Sequence, residues 1–176
     1  MLNEYTDHWI STYTDKKFHY LNPTEEEICI EDIAHALALT CRFGGHCSKF
    51  YSVAEHSIRV SNIVPETLRL QALLHDAHEA YLHDVPRPIK EDIPQYKIIA
   101  DKLQSRINNK FNCYMGNYLV KKADDKLLAT EARDLMPSTT DWADLPTPLD
   151  EIIKPMSWRN AERQFLKRFK EYSNGV

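Results

Sequence analysis

Glycine is scarce in this 176-residue chain. Four occur, so few positions can take positive φ without strain, and tight hairpins and extended sheet are disfavoured. No apolar run exceeds a few residues, which excludes a membrane-spanning helix, and MLNEYTDHWI has neither a basic n-region nor an apolar h-region. A soluble, unexported protein with no membrane partner is expected. Cys29, Cys41, Cys47 and Cys113 show no CxxC spacing, so the expectation is reduced, mostly buried thiols in a cytosol. Basic stripes with interleaved aromatics are also absent, and the net charge is −4, which argues against a nucleic acid partner. There is no internal repeat, low-complexity tract or Gly/Ser linker. What remains, 43% hydrophobic and 27% charged residues, suits one globular domain over residues 1–176.

The periodicity is helical and predicts an all-α bundle of about six or seven helices. Residues 1–29 read as an arm with a short hairpin or irregular structure, with a turn at Asn22-Pro23-Thr24. Ile33, Leu37 and Cys41 lie four apart, and glycine stops that helix at Arg42-Phe43-Gly44-Gly45. The next helix begins near Ser52, with Val53, His56, Val60 and Ile63 on one stripe. Pro65 opens a helix through Leu68, Ala72, Leu73 and Leu74 that runs on to Asp84. Three prolines in VPRPIKEDIP predict an extended connection. Pro94 starts a helix with Ile99, Leu103 and Ile107 on one face, and a long helix spans about Asn117 to Met136. Residues 137–176 hold a proline-spaced loop, with room for a short helix, and then an amphipathic helix capped by Ser157 that carries Trp158, Ala161, Phe165 and Phe169.

The stretch LLHDAHEAYLHD packs three histidines and three carboxylates into twelve residues. Adjacent His75 and Asp76 project roughly 100° apart on a helix, and both can reach one ion beside it. His56, on the apolar stripe of the preceding helix, supplies a second imidazole. A lone histidine there reads as a core residue bonded to a carbonyl; with a His-Asp pair nineteen residues later, the metal reading is stronger. A distant helix should complete the site. Asp124 lies at the border of the apolar face of Leu119, Ala123 and Leu127, whereas Asp125 points toward solvent; a solvated acid pair is the competing reading.

The ordered set His56, His75-Asp76, Asp124 resembles the H…HD…D signature of the HD-domain metal-dependent phosphohydrolases, and most of all the small YfbR-like 5'-deoxynucleotidases and phage-type dATP triphosphohydrolases. The resemblance runs from about Ile30 to Met136 and includes CRFGGH, FYSVAEHS, LLHDAHEAYLHDVPRPIK and VKKADDKLLATE. It implies His56, His75, Asp76 and Asp124 as ligands of a divalent zinc, cobalt or manganese ion, with an additional magnesium accompanying a triphosphate. It implies that Glu79 handles the proton of the attacking water. Asp84, Val85, Pro86 and Arg87 match a segment that meets the nucleoside. Arg42 and Phe43 match an Arg-aromatic pair that orients phosphate and base, the aromatic being often Trp in the relatives. A homo-oligomer is implied, in the cytoplasm or, for a phage-encoded chain, in the host's cytoplasm. Trp158, Phe165 and Phe169 offer interface residues, although core packing explains them as well. His78 is expected at solvent or a subunit contact, and His83 as an orienter of Glu79 or a helix cap.

Substrate class depends on phosphate grips. Arg42 sits in a glycine-ended loop, Lys90 follows the Pro-rich connection, and Lys121 precedes Asp124 by one turn. Each lysine alone reads as a surface cation. Three cations converging on a metal favour a triphosphate, so dATP hydrolysis to deoxyadenosine and triphosphate is the leading expectation, and removal of phosphate from dNMPs the alternative. A non-catalytic nucleotide sensor is a third reading, weakened by Glu79, which a sensor does not need.

Overall fold

In the computed structural model, which describes residues 8–114, 116–138, 142 and 144–174, eight α-helices and one two-stranded hairpin are present among the described residues. The all-α expectation holds. β1 (Ile10–Ser11) pairs antiparallel with β2 (Lys17–Phe18), which places a hairpin in the N-terminal arm. Asp32 ties that arm to the bundle by accepting from Thr14 N–H at 2.7 Å and Thr14 Oγ1 at 2.9 Å. Phe18 is fully buried and stacks on Tyr81, ring centroids 3.8 Å apart. The first seven residues of the arm, and residues 139–141 and 143 of the expected loop, lie outside the described residues.

Helix α1 (Ile30–Leu39) buries Ile33, Ala34, Leu37 and Ala38. A 3-10 turn at Arg42–Gly45 follows, with Phe43 and Gly44 at φ 57° and 58°, where a glycine is at ease and a phenylalanine is not. Helix α2 (Val53–Ile63) starts at Ser52, whose Oγ accepts from Glu55 N–H at 3.1 Å, as the capping rule predicts. α2 is the shared wall of two apolar clusters. Ala54 and Ile58 join Leu37, Leu73, Leu103, Ile107 and Phe165, while Val60 joins Tyr51, Ala72, Val120, Ala123 and Leu127.

The helix expected from Pro65 to Asp84 is broken in the structure. A 3-10 turn at Glu66–Leu68 leads into α3 (Arg69–Leu73), and α4 (Glu79–Leu82) begins only after a series of tight turns. Side chains take over the ladder between them. His75 Nδ1–H donates to Ala72 O at 2.7 Å, where Asp76 N–H would have bonded in a continuous helix. Gln104 Nε2 donates to Leu74 O at 2.8 Å, and its Oε1 accepts from His78 N–H at 3.1 Å, bridging one further helical pair. His83 then closes α4 at φ 65° and ψ 160°, a region nearly reserved for glycine.

The Pro-rich connection is also corrected. It holds α5 (Arg87–Asp92), because Pro86 occupies the cap and Pro88 the first turn, where a missing N–H costs nothing. These two differences raise the helix count above the expected six or seven. α6 (Pro94–Lys110), α7 (Tyr118–Leu135, capped by Asn117) and α8 (Trp158–Ser173, capped by Ser157) lie close to their expected bounds. No helix lies within 136–155 among the described residues. α8 packs on α1, α2 and α3 and buries Ala161 and Phe165, so Phe165 serves the core. No helix among the described residues is long and apolar enough to cross a membrane.

Candidate metal centre

His56 is fully buried in the first turn of α2, His75 and Asp76 lie in the turns between α3 and α4, and Asp124 projects from α7. His56, His75 and Asp124 each present a donor atom within 4.8 Å of the others, a group able to hold a metal ion. Asp76 adjoins this trio, its Oδ2 3.1 Å from His75 Nε2 and 3.7 Å from His56 Nε2. Asp124 Oδ1 lies 3.2 Å from His56 Nε2 and 4.0 Å from His75 Nε2.

The tautomers decide what these atoms offer. His75 Nδ1 faces a carbonyl, which only accepts, so that nitrogen carries the proton. His56 Nδ1 lies 2.6 Å from Glu131 Oε1, and a carboxylate fixes its proton in the same way. Both Nε2 atoms are therefore free to coordinate, and they face each other across 3.3 Å with two carboxylates alongside. Two facing lone pairs repel unless a cation or a proton lies between them. Burial and Arg42 push the His56 pKa down, but Glu131 and Asp124 outweigh them and raise it to about 9. Burial likewise opposes, and Asp76 and Asp124 raise, that of His75. Burial would raise the carboxyl pKa values of Asp76 and Asp124, yet the histidines hold both below the ordinary range. The pocket favours positive charge, and its N/O donor set suits a divalent ion.

Glu79 is buried beside this centre. Its Oε1 accepts from Lys90 Nζ at 2.7 Å, while Oε2 has no hydrogen-bond partner among the described residues. Burial, then Asp76 and Asp84, push its pKa well above the usual carboxylate range, and Lys90 opposes them. A carboxyl raised in this way holds a proton more readily than a free one.

The remaining predicted residues surround the centre in different states. Arg42 is buried, its Nε 3.1 Å and Nη2 3.0 Å from Glu131 Oε2, and it feels the charges of Asp84 and Asp76. Phe43 is half-buried, against the Arg42 guanidinium and 6.0 Å from the Trp142 ring. Asp84 lines a groove of about 760 Å³ formed with β1, α1 and α4. Val85 is half-buried, Pro86 exposed, and Arg87, at 62% side-chain exposure, sits at the rim 3.8 Å from Asp125. Lys90 is committed to Glu79, and Lys121 to Asp124, 3.2 Å away, and Asp125. His78 does not face solvent as expected: it is half-buried, its Nδ1 3.0 Å from Gln104 Oε1. His83 contributes backbone, its N–H bonding Glu79 O and its carbonyl accepting from Tyr96 OH, while its side chain is exposed.

Sequence reading missed Glu131 and Gln104. Glu131 is fully buried and serves His56 and Arg42 together. Its signal was present, since Val120, Asp124, Leu127, Glu131 and Leu135 recur every three or four residues, and an acid on a buried face needs partners. Gln104 had no comparable signal, because its partners lie far away in sequence.

Fold and site together define an all-α protein with a histidine-carboxylate centre in its core. A relative, the uncharacterized protein YfdR of Escherichia coli strain K12, is 38% identical over 170 residues, 94% of this chain and 96% of its own. The chain belongs to the YfdR family. An uncharacterized protein of Rhodobacter capsulatus is 37% identical over 113 residues, 58% of each chain. No family model matches. Neither relative's name states an activity.

Proposed function

We propose that the protein is an HD-type, metal-dependent phosphohydrolase acting on a deoxynucleotide in the cytoplasm. One observation carries the reading: two imidazoles with their Nδ1 atoms anchored turn their Nε2 atoms toward each other and toward Asp76 and Asp124. His56, His75, Asp76 and Asp124 would hold the ion, which supplies Lewis acidity and lowers the pKa of water toward roughly 7 when it is zinc-like. Glu79, raised by burial and neighbouring acids, takes the proton from the attacking water through Oε2, while Lys90 keeps Oε1 fixed. Arg42, held by Glu131, orients the reacting phosphate. Asp84 and the groove beside it receive the nucleoside.

Hydrolysis at the α-phosphorus expels the deoxynucleoside 5'-oxygen from dATP and from a dNMP alike; the two differ in what stays on that phosphorus, a diphosphate chain or none. Three cations converging on the metal favoured dATP. Each of them is matched by an acid, Arg42 by Glu131, Lys90 by Glu79, and Lys121 by Asp124 and Asp125. That pairing favours the less charged monophosphate as a second reading. Product analysis with divalent metal decides: triphosphate released from dATP alone supports the first, orthophosphate from several dNMPs the second. Hydrolysis of neither class under any divalent metal would defeat the proposal.

A further inference from the structure

Two cysteines the proposed reaction does not use bracket the loop that carries Arg42. Cys41 Sγ and Cys47 Sγ lie 3.5 Å apart, both half-buried, and Cys47 Sγ–H also donates to Arg42 O at 3.7 Å. The other two thiols are engaged elsewhere, Cys29 with Glu31 and Cys113 with Asn108. The bracket is held from both sides. Cys41 forms a β-bridge with Ser52, and Arg42 N–H donates to Tyr51 O at 2.9 Å; after the loop, Ser48 N–H donates to Leu135 O at 2.8 Å at the end of α7. Between these anchors the chain turns through positive φ at Phe43, Gly44 and Gly45, so the loop folds back and sets one sulfur against the other.

We infer that Cys41 and Cys47 are a redox-active dithiol that closes into a disulfide and clamps the Arg42 loop. Bonding needs the sulfurs to approach from 3.5 Å to about 2.05 Å, a shift that side-chain rotation and the two glycines can absorb. The oxidant is a two-electron peroxide. Cys41 lines the open groove beside α1, so its sulfur meets the peroxide first: it attacks one oxygen, the O–O bond breaks, and water and a sulfenic acid form. Cys47 Sγ then attacks the sulfenic sulfur, the S–O bond breaks, and a second water leaves. Two thiols have lost two protons and two electrons, and the peroxide has become two waters. A dithiol reductant reverses the bond by exchange. This chemistry stands whether or not the proposed hydrolysis is correct, because it rests on the loop alone.

The test treats the full chain with hydrogen peroxide, alkylates free thiols, and digests the unfolded, unreduced protein with trypsin. Cleavage after Lys17, Arg42 and Lys49 separates residues 43–49, with Cys47, from residues 18–42, with Cys29 and Cys41, and fragmentation of the linked pair tells which of those two sulfurs is bonded. The expected product is these two peptides joined through Cys41 and Cys47, 2 Da lighter than their sum and released by dithiothreitol. Cys47→Ser should instead leave a sulfenic acid on Cys41 that dimedone traps. Amide exchange over residues 43–46 should slow several-fold in the oxidised protein and not in peroxide-treated Cys47→Ser. Recovery of 43–49 with Cys47 alkylated or over-oxidised, its linkage to any other cysteine, or unchanged exchange in the bridged protein would overturn the inference.

Discussion

Asp124 and Asp125 are neighbours in sequence with opposite surroundings. Asp124 Oδ1 approaches His56 Nε2 at 3.2 Å from a mostly buried position, while Asp125, 37% exposed, meets Lys121 and Arg87. Asp124→Asn should strip bound metal and Asp125→Asn should leave it, as elemental analysis of the purified variants would record; the reverse pattern would mean the wrong face of α7 carries the ligand. Glu79 poses a different question, since it accepts from Lys90 and touches no ligand in the trio. Glu79→Gln should keep metal content and lower turnover by about 10² to 10⁴, the usual share of a general acid-base group. Lys90→Ala tests the same pair through pH. Lys90 holds the raised Glu79 pKa down, so its loss lets that pKa rise, and the acidic limb of the rate profile should move to higher pH. An acidic limb that stays in place would separate Lys90 from the base.

Helix α7 carries the proposed ligand Asp124 and, two turns on, Glu131, which holds His56 of α2. Glu131 orients His56 and balances buried Arg42, so Glu131→Gln leaves a buried cation with a neutral partner. Denaturant unfolding should show a loss on the order of 3–5 kcal/mol, and metal affinity should fall by about 10- to 100-fold. A variant with unchanged metal affinity would show that His56 orients itself. At the end of α4, His83 sits where glycine is at ease, and His83→Gly should stabilise the protein by about 1 kcal/mol in urea after glycine's own entropy cost. Helix starts marked by local chemistry, at Ser52, Asn117 and Ser157, were legible because the cap and its N–H partner are two or three residues apart. So was the gathering of His56, His75-Asp76 and Asp124 at one centre. The break around His75 was not, because it depends on Gln104, thirty residues from the Leu74 carbonyl it takes. α5 was hidden by its own prolines, which stop a helix in its interior and start one in its first turn.

At the scale of the molecule the centre joins three parts of the chain: α2, the turns between α3 and α4, and α7. A bound ion should therefore stabilise the whole fold. Metal at about 100 times its Kd adds roughly 2.7 kcal/mol, several degrees in Tm for a chain of this size, and a chelator should remove the gain; Asp124→Asn should show none of it. The most direct measurement is phosphate or triphosphate release from dNMPs and dNTPs by the metal-free and metal-loaded protein, beside metal-loaded Glu79→Gln. The proposed function predicts hydrolysis that appears only with a divalent ion and falls by about 10² or more in Glu79→Gln, although that variant keeps its metal. Equal release without metal, or undiminished release by the variant, would contradict it.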